Sequence, residues 1–191
     1  ERGIFNRVSA QKQAAKNGRR NPDYEFGTNP CSEIILRPHQ FCNLTEVVIK
    51  EHDTDEDLDR KVRLATILGT AQATLTAFPY LRKIWKSNTQ EERLLGVSLT
   101  GIMDNINTNC FLMNMRERLT RLKQIAIDTN KKYAKRFGIE ESTAITCVKP
   151  SGTVSQLCDS ASGIHARHSR YYIRTVRGDN KDPLTKFMID Q

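Results

Sequence analysis

The sequence predicts an α/β fold whose sheet is mainly parallel. Three observations carry this: apolar, β-branched runs at residues 34–36, 47–49 and 144–148; two long stretches of helical apolar spacing, beginning near Asp57 and near Arg116; and the alternation of the two kinds along the chain. Helices set between strands are the connections that parallel strands require.

Taken in order, residues 7–17 favour a short helix that ends before Gly18, and the basic, turn-rich segment 18–22 follows it. The next loop, Thr28-Asn29-Pro30-Cys31-Ser32-Glu33-Ile34, sets an amide, a thiol and a carboxylate side by side behind a stiffening proline. The chain leaves it as a strand, 33–36. Cys42 opens a second extended segment, 44–49, with Val47, Val48 and Ile49 as its buried part. Thr54 and Asp57 form a capping-box-like start, with Asp in place of Glu, to a long helix carrying Leu58, Val62, Ala65, Leu68 and Leu75; Pro79 ends or kinks it. After a polar stretch, 87–92, residues 94–102 read as a strand containing two glycines. A second long helix covers 116–137, with Leu119, Leu122, Ala126 and Tyr133 on one face and Gly138 as its stop. A strand at 144–148, a turn at 150–153 and a strand at 171–176 complete the reading, with alternating strand packing as the expected role of Tyr171 and Tyr172.

With 38% apolar and 27% charged residues, 191 residues can form a single domain with an ordinary core. The net charge of +8 is spread along the chain, which suits an anionic partner such as nucleotide phosphates, nucleic acid or a membrane surface. No aromatic-interleaved Lys/Arg stripe marks a polynucleotide site. No apolar run reaches the ~18 to 20 residues of a membrane span, and the five cysteines lack the spacing of a secreted disulfide scaffold, so a cytoplasmic protein with reduced thiols is expected. Cys110, Cys147 and Cys158 read as small buried hydrophobes. Cys31, His39, Cys42 and His52 lie near one another in sequence but lack a CxxC knuckle, so no metal site is expected, and His165 and His168 fall in a basic turn. The opening Gly3-Ile4-Phe5-Asn6 reads as mid-protein sequence, so a piece of something larger is expected.

A second chemical cluster is Lys149-Pro150-Ser151-Gly152-Thr153-Val154-Ser155. A strand ends there, glycine permits close backbone approach, and a helix N-terminus near Val154 would offer backbone N–H groups to phosphate, although the spacing is not that of a P-loop.

Together, Asn29-Pro30-Cys31-Ser32-Glu33-Ile34, Cys42-Asn43-Leu44, Leu95-Gly96-Val97-Ser98-Leu99-Thr100-Gly101 and Lys149 through Leu157 resemble the catalytic barrel of ribonucleotide reductase. The segments 162–167 and 171–177 bring the resemblance closest to the adenosylcobalamin-dependent, monomeric (class II) ribonucleoside-triphosphate reductases. It implies the second half of a ten-stranded α/β barrel with a central finger loop. The chain then divides into an entry segment (1–26), the finger loop and flanking strands (27–50), helices and a strand (51–143), a phosphate loop and following strand (144–177) and a tail (178–191).

The resemblance also implies roles. Cys31 would be the thiyl radical that takes the ribose 3′ hydrogen, Glu33 the base on the 3′ hydroxyl, and Asn29 a hydrogen-bonding partner of the ribose hydroxyls, or else turn chemistry before Pro30. Ser32 stands where the family often has glycine. Cys42 would be one of two reducing thiols; its partner lies upstream in the family, in the missing N-terminal half-barrel. Ser151, Gly152, Thr153, Val154 and Ser155 would hold the substrate phosphates. The implied cofactor is adenosylcobalamin, and the implied reductant is thioredoxin-like. An iron-dependent reductase is the alternative within the class. A non-catalytic fragment or split subunit that binds nucleotide or a complementary half is the alternative outside it.

Overall fold

The computed structural model describes the chain except residues 1–3, 17, 106, 107, 174 and 176, and except the side chains of 108–113. In order come α1 (Arg7–Ala15), β1 (Gly27–Thr28), β2 (Ile35–Leu36), β3 (Asn43–Val48), α2 (Asp55–Gln72), α3 (Lys83–Glu92), β4 (Leu95–Thr100), α4 (Thr108–Phe137), α5 (Thr153–Leu157) and α6 (Pro183–Asp190).

β3 and β4 run parallel, Asn43 opposite Leu95 through to Val48 opposite Thr100. Residues 144–147 lie along the other edge of β4 as a third parallel segment. Leu95 N–H donates to Ala144 O at 2.9 Å, Val97 N–H to Ile145 O at 2.8 Å, and Cys147 N–H to Val97 O at 3.1 Å. One face of this sheet is covered by α2 and α4, where Val47, Leu95 and Val97 meet Leu58, Val62, Ala65, Leu122 and Ala126. Each large apolar side chain buried there contributes about 1.5–3 kcal/mol.

The opposite face is made for close approach. A Cβ on Gly96 would lie 2.4 Å from Leu44 Cδ2, 3.0 Å from Cys147 Sγ and 3.1 Å from Ile34 Cδ1. Only a residue without a side chain lets β3, the third segment and the β1–β2 connection close over one point. Gly101 ends β4 at φ 76°, and a Cβ there would lie 2.5 Å from Ile49 O.

The capping box of α2 forms as the sequence predicts. Thr54 Oγ1 accepts from Asp57 N–H at 3.2 Å, and Thr54 N–H donates to Asp57 Oδ2 at 3.2 Å. The helix stops at Gln72, well before Pro79, where Arg93 Nη1 donates to Ala73 O at 2.6 Å and so satisfies a terminal carbonyl. Its inward stripe runs Leu58, Val62, Ala65, Gly69. Leu68 and Leu75 fall off that stripe and are 67% and 72% exposed. α4 ends at Gly138 as expected, begins earlier than residue 116, and is interrupted at Asn114 by non-helical angles. Leu122 and Ala126 face the core while Leu119 is exposed.

Two expectations change. The polar stretch 87–92 belongs to α3, whose inward side chains are Asn88, Thr89 and Glu92 rather than apolar ones. Tyr171 and Tyr172 do not pack in a strand: both are exposed, and the Tyr172 hydroxyl donates to Gln156 Oε1 at 2.8 Å. No described segment lies beside residues 171–173 as a ladder partner, and Arg174 and Val176 fall outside the described residues.

α1 is capped by Asn6 and packs Ala10 and Ala14 on Phe26, with Tyr24 and Ile35 alongside. Beyond it, Arg20 reaches α3. Its Nε and Nη2 donate to Glu92 Oε1 and Oε2 at 2.6 and 2.9 Å, and its Nη1 to Ile35 O at 2.8 Å. The two side chains are 6% and 3% exposed. Arg20→Met leaves Glu92 buried without its partner and is expected to cost about 3–5 kcal/mol in urea unfolding, with Arg20→Met/Glu92→Met recovering most of it. A loss below about 1 kcal/mol would mean the pair behaves like an exposed one.

Candidate active site

β1 and β2 form a small antiparallel hairpin, Gly27 opposite Leu36 and Thr28 opposite Ile35, and residues 29–34 are its tip. Asn29 organises the tip. Its carbonyl accepts from Ser32 N–H at 3.0 Å, its N–H donates to Ile34 O at 3.3 Å, and its Oδ1 accepts from Ile34 N–H at 3.0 Å. Asn29 Oδ1 therefore does turn chemistry. Ser32 sits at φ 61°, the left-handed region that glycine occupies freely and that costs another residue about 1–2 kcal/mol. The tip keeps the conformation that a glycine would favour.

The tip leaves its two reactive groups unequally exposed, both within reach of the Lys149 charge. Cys31 is exposed, while the Glu33 side chain turns inward and is 1% exposed. Glu33 Oε1 accepts from Lys149 Nζ at 3.0 Å, and Oε2 is buried without a hydrogen bond of good geometry. Burial is the largest single influence on this carboxyl and pushes its pKa up; hydrogen bonds from its own backbone N–H, Asn29 and Lys149, with the Lys149 charge, outweigh it and hold the group below its ordinary 4.5. The stability this brings is complete above pH 4.5 and is lost as the pH falls through the lower folded-state value.

Cys42 precedes β3 and Cys147 lies in the third parallel segment. Burial first, then the neighbouring Cys147 and Glu33, push the Cys42 thiol up to about 12 against the pull of Arg20. Burial and Glu33 push Cys147 up to about 12 against the pull of Lys149. Both thiols keep their protons at neutral pH. Lys149 is itself held up, by its hydrogen bond to Glu33 first and by the charges of Glu33, Cys31 and Cys147. Cys31, Glu33, Cys42, Cys147 and Lys149 thus share one electrostatic neighbourhood. A crevice of about 200 Å³ opens beside Glu33, with Arg19, Arg20 and Lys123 on its walls.

The predicted phosphate turn lies directly beyond Lys149. α5 starts at Thr153, its N-cap Gly152 makes no side-chain cap, and Gly152, Thr153 and Val154 are exposed. Nothing lies within 4 Å of where a Gly152 Cβ would be, so the space over the turn is open. Ser155 is buried, its Oγ donating to Gly152 O at 2.7 Å, so its hydroxyl is spent within the turn. Ser151 Oγ is buried without a partner. A cavity of about 530 Å³ lies here, bounded by Ser151, Gly152, Ser162, Arg167, His168 and Tyr172.

The structure therefore brings Asn29, Cys31, Glu33 and Cys42 together and places residues 151–155 after Lys149. Sequence reasoning missed three members of the neighbourhood. In the sequence Lys149 reads only as part of the phosphate turn, Cys147 only as core, and Arg20 only as part of a basic turn, because their partners are distant in sequence. Cys158 is half-buried, and the Cys110 side chain lies outside the described residues. His39 packs on Trp85 with ring centroids 5.4 Å apart, and among the described residues no group of three His, Cys, Asp or Glu could hold a metal ion.

No protein-family profile matches the chain. Curated relatives do. The adenosylcobalamin-dependent ribonucleoside-triphosphate reductase of Lactobacillus delbrueckii subsp. bulgaricus is 30% identical over 183 residues, covering 83% of this chain and 24% of that protein. The reductase of the same name from Euglena gracilis is 30% identical over 175 residues, covering 88% and 23%. A crystal structure of a B12-dependent (class II) ribonucleotide reductase superposes with a TM-score of 0.58 at 26% identity, over 75% of this chain and 23% of that one. The chain is a homologue of part of these reductases. It spans about a quarter of the length of the curated relatives it matches, and its α/β fold is that of a portion of the class II enzyme. The described residues supply two parallel strands, a third parallel segment bridged to them where the sequence predicts a strand at 144–148, and the hairpin that lies over them.

Alkylation with iodoacetamide tests the thiol environments. At pH 7.5, Cys31 is expected to label first, with Cys42 and Cys147 more than about tenfold slower. Raising the pH through the ordinary thiol value of 9.0 should leave the latter two suppressed until the approach to about 12. Equal labelling of all three by peptide mass spectrometry at pH 7.5 would contradict the raised pKa of the half-buried Cys42 and Cys147.

Proposed function

We propose that this chain is the portion of a ribonucleotide reductase that presents the radical thiol and the base to the substrate ribose. The observation that carries the reading is the hairpin tip, with Cys31 exposed at its end, Glu33 turned into the protein beside it, and Cys42 in the same neighbourhood. A thiyl at Cys31 removes the 3′ hydrogen of a ribonucleoside triphosphate and later returns it. Glu33 takes the 3′ hydroxyl proton; its lowered pKa keeps it ionised and able to accept at neutral pH, although it weakens the carboxylate as a base. The 2′ oxygen leaves as water. Cys42 and a second thiol supply two hydrogens and two electrons and end as a disulfide, so that ribonucleotide and dithiol become deoxyribonucleotide, disulfide and water. In this reading the second thiol comes from a segment outside this chain, and a thioredoxin-like reductant regenerates the pair in the cytoplasm.

The phosphates would lie at the N-terminus of α5, against the exposed Gly152, Thr153 and Val154, with the buried Ser155 bracing the turn through its bond to Gly152 O. Ser151 sits beneath them, its hydroxyl unspent. The relatives' names favour adenosylcobalamin over iron as the radical source. Cys31 is exposed, with exposed Pro30 and Ser32 on either side, and would be the residue that meets such a group. When bound, that cofactor supplies the radical that takes the hydrogen atom of the Cys31 thiol.

The test is a chimera in which this chain replaces the matching quarter of the Lactobacillus delbrueckii relative. Adenosylcobalamin-dependent reduction of ribonucleoside triphosphates is expected, with Cys31→Ser lowering it by at least about 10³-fold. Activity that survives Cys31→Ser would overturn the reading. A chimera that binds nucleotide without turnover would favour the alternative of a binding fragment.

A further inference from the structure

We propose that Lys149 is a positioning residue for Glu33: its ammonium engages Oε1 and so leaves Oε2 as the oxygen that meets the substrate hydroxyl. The inference rests on the reading of Glu33 as the base and deepens it.

The geometry is one-sided. Lys149 Nζ lies 3.0 Å from Glu33 Oε1, whereas Oε2, equally buried, makes no hydrogen bond of good geometry, the Asn29 side chain and the Glu33 N–H being near enough to influence the carboxyl without closing such a bond to it. An ion pair kept only for stability would be expected to satisfy both oxygens, because an unpaired buried acceptor is a net cost. A carboxylate that must receive a proton from a ligand needs one oxygen free and aimed. Held at one oxygen, Glu33 has that oxygen in a fixed direction.

Lys149 is itself fixed from behind. It follows the third parallel segment, which is tied to β4 by the Cys147 N–H bond to Val97 O. Its own carbonyl lies against Gly163, where a Cβ would come within 3.3 Å. The Ser162 hydroxyl donates to Ser151 O, bracing the turn beyond it. The ammonium therefore reaches Glu33 from the sheet, while Glu33 arrives from the hairpin, and the pair joins two elements 116 residues apart in sequence.

The charged and titratable groups around Glu33 are few enough to separate. Cys147 and Lys149 face it from the third segment, Cys42 from the start of β3 and Asn29 from the hairpin, while Arg19, Arg20 and Lys123 line the crevice beside it. Among them, Lys149 is the cation that touches its carboxylate. Removing that cation leaves burial to act with less opposition, so the carboxyl should titrate at higher pH.

The test is the carboxyl titration of Glu33, followed by ¹³C NMR in glutamate-labelled chain and assigned with Glu33→Gln. The wild-type resonance should titrate below the ordinary glutamate value of 4.5. Lys149→Met should move the midpoint upward, and Lys149→Arg, which keeps the charge, should bring it back down. In the chimera, the acid limb of kcat/KM should move to higher pH in Lys149→Met and return in Lys149→Arg, a shift that mere loss of folded protein does not produce. A Glu33 midpoint that stays in place in folded Lys149→Met overturns the inference. The titration does not depend on turnover. A midpoint that follows Lys149 while reduction survives Cys31→Ser refutes the radical reading but leaves the Lys149–Glu33 linkage standing. An unmoved midpoint with Cys31-dependent reduction does the reverse.

Discussion

The buried, two-toothed pair of Arg20 and Glu92 is the constraint on which the rest of the site depends. Burying two charges is tolerable only when their geometry is tight and the remaining hydrogen-bonding capacity is used. Both conditions are met: the guanidinium takes both carboxylate oxygens and the carbonyl of Ile35, and Gln40 donates to Glu92 Oε2 at 2.5 Å and to Asn88 O at 3.2 Å. One ion pair therefore ties the segment before the hairpin, the strand that leaves it and α3 to one another. A hairpin with only two residues per strand has little stability of its own. Its orientation over Gly96 is borrowed from this anchor.

What the anchor delivers is a division of labour within three residues. Cys31 is exposed and the Glu33 side chain is buried, yet both lie close enough to Lys149 to act on its charge. Ser32, between them, accepts a left-handed backbone. The inward side is apolar enough to keep two thiols protonated, yet contains one ammonium placed to keep one carboxyl ionised. A protonated thiol suits delivery of a hydrogen atom or a proton, and a free carboxylate suits removal of a proton. The neighbourhood holds both, because burial shifts thiols and carboxyls the same way while Lys149 touches only the carboxyl.

Much of this was readable in the sequence wherever the signal was local. The Thr54–Asp57 capping box, the stops at Gly18 and Gly138, and the parallel strands at 44–49 and 94–102 rest on short-range chemistry and occur close to where the residues place them. The hairpin tip was legible as a motif, although its pairing of Gly27–Thr28 with Ile35–Leu36 was not. α3 was hidden because the side chains it buries are polar ones that serve the neighbouring loop, with Asn88 donating to Pro38 O and accepting from Arg37. The end of α2 was misplaced because a long-range bond from Arg93, rather than Pro79, satisfies its terminus. Arg20, Cys147 and Lys149 gain their roles from partners 72, 105 and 116 residues away, in Glu92, Cys42 and Glu33, and no local pattern announces them.

The central claim is that the hairpin tip brings sulfur and carboxylate to one carbon of the ribose. The most direct measurement is a competition between a ribonucleoside triphosphate carrying deuterium at the 3′ carbon and the unlabelled substrate, turned over by the chimeric reductase. Slower reduction of the deuterated substrate is predicted, because the C–H bond broken by Cys31 is the labelled one. Reduction at equal rates, in the same competition that shows an isotope effect for the unaltered relative, would contradict the account.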